Sequence, residues 1–236
     1  LARGCDVNAK GEGAVLVETR DLVRRGVFHV LTFGPDGQIR NARCITGLPG
    51  AGTASVRIDS AGNIYVADAS KPFGHVVRPE FKGLVPETAR LLDGRRNWYP
   101  AMFGSIIKFA PTGGSIGQGD GPKVTIAYGG PTTSQTLRHA DTGKDTTLDF
   151  GGTANLTGAL WQREVMGFVP VASHVGGAFY CSCEQVRFAV DGFGRVFAPD
   201  TVRFQVAVLD THGNELGRFG TYGNPDEQAA ATKAAG

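Results

Sequence analysis

The sequence predicts an all-β protein, and its composition is the first observation that supports this. Glycine makes up 35 of the 236 residues, well above the usual share of ~7%, and no Gly-X-Y period accompanies it. β-Branched and aromatic residues occur in short runs between these glycines. Many short strands joined by glycine turns explain this pattern best. The hydrophobic content of 41% is sufficient for a sizeable core.

A frame that recurs at two distant places is the second observation. Residues 59–68 read DSAGNIYVAD and residues 191–200 read DGFGRVFAPD. In each copy an acid opens a tight turn, a glycine supplies positive φ, and a β-branched and an aromatic residue begin the returning strand. The predicted turn residues are Asp59, Gly62, Asp191 and Gly194. The acids that end the frames, Asp68 and Asp200, are predicted to accept backbone N–H bonds, with metal binding as the alternative.

A second type of hairpin follows the frames, because an apolar residue stands four positions before a turn glycine at Phe33, Phe109 and Leu209. The strand Ser105–Phe109 is predicted to return as Val124–Tyr128. An inner and an outer hairpin together make a four-stranded unit of ~40 residues, the size of a β-propeller blade. We therefore predict one domain over residues 1–236 with blades at about 5–47, 54–129 and 186–220, loop insertions at about 70–103 and 130–184, and a short C-terminal helix in the tail 224–236.

The frames and the outer hairpin that follows the second frame resemble NHL repeats, most closely over residues 188–224. The run from Cys181 to Pro199 also resembles NHL-repeat proteins of environmental bacteria, of Planctomycetes-like type. The resemblance implies a propeller, usually of six blades, that serves as a binding platform or, less often, as a lyase or lactonase with a metal in the central channel. Only three units are legible here, and a ring needs at least four. Either the chain is part of a longer protein, or residues 130–184 and a neighbouring subunit complete the array.

The cysteines offer three interpretations that the sequence leaves open. Cys181 and Cys183 would point to the same side of a strand and could share Zn or Cu, with His174 as a further ligand. The spacing differs from the C-x₂-C of zinc ribbons. Alternatively, structural disulfides use all four cysteines, Cys5, Cys44, Cys181 and Cys183, or the thiols are buried and free.

Three aspartates at intervals of four form a candidate calcium site. Asp141, Asp145 and Asp149 lie in a stretch rich in threonine and glycine, and carboxylates in such a loop can hold Ca²⁺. The EF-hand pattern is not met, so a solvated loop is the alternative. The sequence thus names Zn, Cu or Ca as candidate cofactors without requiring any of them.

Charge and hydropathy exclude two classes of partner. The net charge of +2, from 24 basic and 22 acidic side chains, gives no electrostatic reason to bind nucleic acid. No apolar run approaches the roughly 18 residues of a membrane span.

No set of residues in the sequence points to catalysis, since the five histidines form no metal-binding pattern and no G-x-S-x-G elbow is present. We therefore expect a secreted or periplasmic binding or structural module that is not an enzyme and that assembles with itself or with another protein. One alternative is a metal-dependent propeller enzyme or redox-complex component that uses the Cys-x-Cys site. A Ca²⁺-stabilised adhesion module is another.

Overall fold

The computed structural model describes residues 2–21, 24–48, 55–68, 70–72, 103–117, 120–126, 134–138, 145–149, 153–167, 187–200 and 203–221. Every regular element in these ranges is a strand, so the all-β prediction is confirmed for this part of the chain. No described helix is long and apolar enough to cross a membrane. The predicted C-terminal helix lies outside the described ranges.

The strands carry the following bounds. They are β1 (Ala2–Val7), β2 (Gly13–Asp21), β3 (Arg24–Phe33), β4 (Ile39–Leu48), β5 (Val56–Ile58), β6 (Ile64–Asp68), β7 (Ser70–Pro72), β8 (Phe103–Phe109), β9 (Gly114–Gly117), β10 (Lys123–Ile126), β11 (Ser134–Arg138), β12 (Asp145–Asp149), β13 (Thr153–Thr157), β14 (Ala159–Gly167), β15 (Ala189–Val190), β16 (Val196–Asp200), β17 (Gln205–Leu209) and β18 (Glu215–Phe219). Strands β11 and β12 form a separate two-stranded sheet.

The first eight-stranded sheet begins with four strands that pair in chain order. β1 pairs with β2, β2 with β3 and β3 with β4, all antiparallel. This meander, over residues 2–48, is called the first unit below. The sheet continues through β9, β13, β10 and β7. The join is narrow, because β4 meets β9 through two parallel pairs, Ile45 with Gly114 and Thr46 with Ser115.

The second eight-stranded sheet contains two further groups of four antiparallel strands. β5, β6, β8 and β14 pair in that order and form the second unit. β15, β16, β17 and β18 form the third unit, a meander over residues 189–219. The two units meet through one parallel pair, Gly167 with Asp200. Neither eight-stranded sheet closes on itself, so the hydrogen-bonding pattern does not establish separate blades or a closed ring.

The fourth strand of the second unit differs from the prediction. Ser105–Phe109 was expected to return as Val124–Tyr128, but β8 pairs with β14, and β10 lies in the other sheet beside β13 and β7. The physical reason is that β14, with nine residues, is long enough to pair with β8 from Phe103 to Phe109, and its Val165 is buried in the core. After the turn at Gly113, the chain instead enters the first sheet as β9.

A single core cluster joins the three units. The central strand β6 is buried at all five residues, as its nearly continuous apolar sequence predicts for a strand covered on both faces. β5 packs against β1 and β2 of the first unit and against β15 of the third. The short first strands of the three units therefore lie next to one another.

Candidate functional site

Four turns of identical construction define one region of the molecule. In each, a side-chain oxygen accepts hydrogen bonds from the backbone N–H groups two and four residues later, and a glycine three residues later has positive φ. At Asp59 the acceptor distances are both 2.9 Å, and Gly62 has φ of 81°. This is the geometry of an Asx turn closed by glycine. The four turns begin at Asn8, Asp59, Asp191 and Asp210.

Neighbouring turns are in contact with one another. The Asn8 side-chain Nδ2 donates to the backbone oxygen of Asp59 at 2.9 Å. A Cβ added at Gly194 would lie 2.9 Å from Thr211 Cγ2, so the third and fourth turns are also close. We call this surface, made by the four turns, the turn rim.

A buried lysine lies beneath the turn rim. Lys108 belongs to β8, a central strand, and its cross-strand partners are Tyr65 on β6 and Trp161 on β14. The three side chains thus form a row across the second unit. Lys108 is only 5% exposed. A buried charge needs partners, and the surrounding groups supply them.

The partners of the Lys108 ammonium come from three elements. Nζ donates to the Thr211 carbonyl at 3.0 Å, lies 3.6 Å from Asp59 Oδ2, and sits 5.0 Å from the centre of the Tyr65 ring. The last contact is a cation–π interaction. Trp161 Nε1 donates to the same Thr211 carbonyl at 3.0 Å, and the Tyr65 and Trp161 rings meet edge to face with centroids 5.9 Å apart.

Asp59 is held as a carboxylate by this arrangement. Burial raises its pKa. Hydrogen bonds from Asn63 and Tyr65 and the charge of Lys108 lower the pKa by a larger amount, so the net pKa lies below the ordinary value of 3.8. Burial, and then the bond to Asp59, raise the pKa of Tyr65. The Tyr65 hydroxyl therefore remains a donor, to Asp59 Oδ2 at 2.8 Å.

An open pocket of about 430 Å³ adjoins this cluster. A hydrogen bond connects Thr211 Oγ1 and His212 Nδ1 at one side, at 3.2 Å. The pocket thus combines an ammonium group, an indole, an imidazole and an aliphatic side chain. Its lining residues are Lys108, Leu160, Trp161, Thr211 and His212.

A second buried acid, Asp200, serves the third unit internally. It is fully buried, accepts from Arg218 Nη1 at 3.0 Å and lies 3.8 Å from Arg203 Nη1. Burial raises its pKa, and the two arginines offset this only in part. The following turn places Phe204 at φ of 57°, a conformation that is strained for a bulky residue.

The outer face of the third unit is an apolar surface. Cross-strand pairs place Phe197 beside Val208 and Pro199 beside Val206, and Val206 also pairs with Phe219. These side chains are half-buried, and Phe219 is 56% exposed. The opposite face, with Val196, Ala198, Ala207 and Leu209, is fully buried in the core.

The outer face of the first unit has the same character. Val15 pairs with Leu31 across β2 and β3, and both are half-buried. Their neighbours Leu16 and Val30 point the other way and are fully buried. Both ends of the row of units therefore present apolar sheet surface.

Several predicted site residues lie outside the described part of the chain. These are His174, Cys181 and Cys183 of the metal site, and Asp141 of the calcium site. The Zn or Cu interpretation of the Cys-x-Cys stretch therefore stays a prediction. Among the described residues, no group of three His, Cys, Asp or Glu side chains could hold a metal ion.

The disulfide prediction is not supported at the two cysteines that are described. Cys5 is an exposed free thiol and Cys44 a buried one. Cys44 Sγ donates to the Pro111 carbonyl at 3.6 Å, and burial raises its pKa. This thiol is thus enclosed by the first sheet and packs as a small core side chain.

The predicted calcium loop contains a strand where it is described. Asp145 and Asp149 are the first and last residues of β12, which separates them by roughly 13 Å along an extended chain. Ligands to one Ca²⁺ lie only about 2.3–2.6 Å from the ion. The extended backbone therefore disfavours a shared site for these two residues.

The frame acids Asp68 and Asp200 end their strands and accept backbone N–H bonds. Asp68 Oδ2 accepts from Ser70 at 2.8 Å, and Asp200 Oδ1 accepts from Arg203 at 3.2 Å. Sequence reasoning did not identify Lys108. The available signal was a single charge in the apolar run Ile106-Ile107-Lys108-Phe109.

Comparisons with known proteins give little guidance. No protein-family model matches the chain, and no curated protein matches it. Among solved structures, the chain is similar to a gluconolactonase from Xanthomonas campestris, with 16% identity and a TM-score of 0.26, over 94% of this chain and 63% of that one. The chain thus spans less than two thirds of that protein. A TM-score this low carries no argument about fold or activity.

The expectation that the protein is not an enzyme requires correction. The solved structure described above is that of an enzyme, but at a TM-score of 0.26 it assigns this chain to neither class, so the non-enzymatic assignment is withdrawn. That assignment rested on the recurring blade frame and on the missing catalytic motifs. Motif absence is a weak criterion, because similar active sites occur without shared sequence patterns.

Proposed function

We propose that the chain forms three consecutive blades of an NHL-like β-propeller and that it functions as an assembly, in which a second copy of the chain covers its two apolar ends. The observation that carries the proposal is the outer face of the third unit, where Phe197, Pro199, Val206, Val208 and Phe219 form an apolar sheet surface that is only half-buried. Monomeric soluble proteins rarely expose large contiguous apolar patches.

The blade interpretation is supported by the repetition of the units. The first and third units are four-stranded antiparallel meanders, and the second unit has four antiparallel strands. Their first strands, β1, β5 and β15, lie side by side in chain order. Within each eight-stranded sheet, the join at the edge of a unit is only one or two residue pairs wide. An arc of three blades has these properties.

The choice of a second copy as the partner rests on the two ends of the arc. The third unit offers Val206 and Phe219, and the first unit offers Val15 and Leu31. Each end is an apolar sheet face that a second apolar sheet face would cover. The two ends can therefore cover each other when two copies meet. Head-to-tail contact of two copies buries both ends and closes a ring of six units, which is a heterologous interface that closes.

Light scattering over a range of concentrations tests this proposal. We expect a dimer that Phe219→Ser weakens by about 10-fold or more, since a large apolar side chain loses its cover. Leu216→Ser is the matched control, because Leu216 is similarly exposed, at 60%, on the same strand but lies in the register shift between Glu215 and Gly217, outside the cross-strand pairs of the apolar face. A wild-type chain that stays monomeric at every concentration would refute the proposal.

Mixing two variants tests the head-to-tail geometry. Phe219→Ser damages one end and Leu31→Ser the other, so each variant alone carries two damaged interfaces in a closed dimer. A mixed dimer carries one intact interface and one doubly damaged interface. We therefore expect the mixture to associate more tightly than either variant alone. Equal or weaker association would instead indicate contact between identical faces.

Location in the periplasm or outside the cell stays a prediction. Disulfides persist in such oxidising compartments, and Cys5 and Cys44, as free thiols, give no support of this kind. Elemental analysis of the purified protein would test the Cys-x-Cys metal site, for which stoichiometric Zn or Cu is the expected result.

A further inference from the structure

We infer that the pocket beside Lys108 binds a small organic carboxylate with a flat apolar part. This site is independent of the proposed assembly, because it lies under the turn rim and not on either outer face.

The Lys108 ammonium has donor capacity that the described residues leave unused. An ammonium group carries three donors, and one of them goes to the Thr211 carbonyl at 3.0 Å. Asp59 Oδ2, at 3.6 Å, is an ion-pair partner beyond direct hydrogen-bonding distance. The lysine lines the pocket although its side chain is only 7% exposed.

Asp59 has its own partners and does not absorb the remaining donors. Its Oδ1 accepts from two backbone N–H groups, and its Oδ2 accepts from Asn63 Nδ2 at 2.9 Å and from Tyr65 at 2.8 Å. A carboxylate offers about four lone-pair sites, so Asp59 is saturated. Lys108 is therefore a fixed cation whose direct acceptor on the pocket side has to come from a ligand or water.

The pocket wall suits a flat apolar group. Trp161 is fixed in place, because its Nε1 donates to Thr211 and its ring packs edge to face on Tyr65. Leu160 is 55% exposed at the same pocket. Rigid aromatic and aliphatic walls with a few placed polar groups are typical of small-molecule sites. A ligand that packs against Leu160 would remove apolar surface of this side chain from water, which favours binding.

The charge of the pocket selects a monoanion. A cationic ligand would be repelled by Lys108. Because Asp59 lies 3.6 Å from Nζ, beyond direct hydrogen-bonding distance, a neutral ligand would leave the remaining donors without a directly bonded charged acceptor. Lys108 is the one lysine or arginine that lines the pocket among the residues described. A single ammonium balances a carboxylate better than a phosphate dianion, which recruits several cations. Benzoate is the simplest probe with these properties, and benzyl alcohol is its uncharged counterpart.

Nuclear magnetic resonance of the ¹⁵N-labelled full chain tests the inference, with benzoate as titrant and the Trp161 indole N–H as reporter. The signal is assigned by its loss in Trp161→Phe. We expect benzoate to shift it in a saturable way and benzyl alcohol to bind at least about 10-fold more weakly, as for loss of a charge-assisted contact. No shift with benzoate, or equal binding of the two probes, would overturn the inference.

Two variants test the charge of Lys108 and the apolar wall of the pocket separately. Lys108→Met keeps the length of the side chain and should lower benzoate affinity by about 10-fold or more while binding of benzyl alcohol changes little. Because Lys108 is buried, Leu160→Ser is the second variant, and loss of its apolar contact should weaken both probes several-fold. Ile39→Ser is its control, since Ile39 is 61% exposed on β4, away from the pocket lining. Unchanged benzoate affinity in a folded Lys108→Met, or in Leu160→Ser, contradicts the site.

Discussion

In each aspartate of the turn rim, the two carboxylate oxygens accept hydrogen bonds from different donors. At Asp59, Asp191 and Asp210, Oδ1 accepts the two backbone N–H groups of the turn. Oδ2 accepts from the side chain four residues later, which is an asparagine after Asp59 and Asp210 and an arginine after Asp191. Asp191 uses it for Arg195 at 2.7 Å and Asp210 for Asn214 at 3.0 Å. Asn8 makes the same turn without a charge, so the turn itself requires only the acceptor oxygen.

These hydrogen bonds to the aspartates predict how the free energy of unfolding depends on pH. Hydrogen bonds from Asn214 lower the pKa of Asp210, and for Asp191 the bonds and charge of Arg195 outweigh a raising effect of burial. A carboxyl with a lowered folded pKa adds stability at neutral pH that is lost as the pH falls through that pKa, below the ordinary 3.8. We therefore expect Asp191→Asn with Asp210→Asn to flatten the acid side of the stability profile. Urea unfolding at a series of pH values checks this, and an unchanged slope would contradict it.

At the scale of the elements, local signals were reliable and long-range pairing was not. The Asp-x-x-Gly frames fixed the turns at Gly62 and Gly194, because a positive φ and an Asx acceptor are properties of a few adjacent residues. The pairing of β8 with β14 depends on which distant strand offers the better apolar edge. Nothing in the residues around Phe109 records that choice. The stretch that became β14 was instead assigned to an insertion.

Two turn glycines allow the effect of backbone conformation on stability to be distinguished from the effect of close packing. Gly37 has φ of 73° with no atom near the position of a Cβ, whereas at Gly113, with φ of 81°, a Cβ would meet the Cys44 carbonyl oxygen. Gly37→Ala should cost about 1–2 kcal/mol, for the left-handed conformation alone. Gly113→Ala should cost clearly more, because β4 must shift away from the turn. Chemical denaturation measures both, and equal losses would argue against the close approach.

At the scale of the whole molecule, the fold class could be predicted but the site could not. Composition and the repeated frame were sufficient for an all-β fold. The row of Tyr65, Lys108 and Trp161 brings together three strands, and its third member lies on β14. Its existence therefore follows from a pairing that sequence reasoning missed. Only the isolated charge of Lys108 among apolar neighbours hinted at a buried polar group.

The order of burial in the second sheet predicts a gradient of hydrogen exchange. β6 is buried throughout and hydrogen-bonded on both sides by β5 and β8, so its amides should exchange only through global unfolding. β18 ends the sheet path and is mostly exposed, so its amides should exchange by local opening. Peptide-level exchange measured by mass spectrometry checks this in the Phe219→Ser variant, which we expect to be monomeric. Equal protection of both strands would contradict the gradient.

The detour of the chain between β8 and β14 has a consequence for biosynthesis. After β8 the polypeptide leaves for the first sheet as β9 and comes back to the second sheet as β14. On the ribosome, the nascent chain therefore displays one side of β8 without its partner until residue 167 has left the exit tunnel. Such an unpaired apolar edge can capture other nascent chains. Slow translation through residues 110–158 would prolong the exposure of the β8 edge. A chaperone would therefore protect the protein best while this segment is being synthesised.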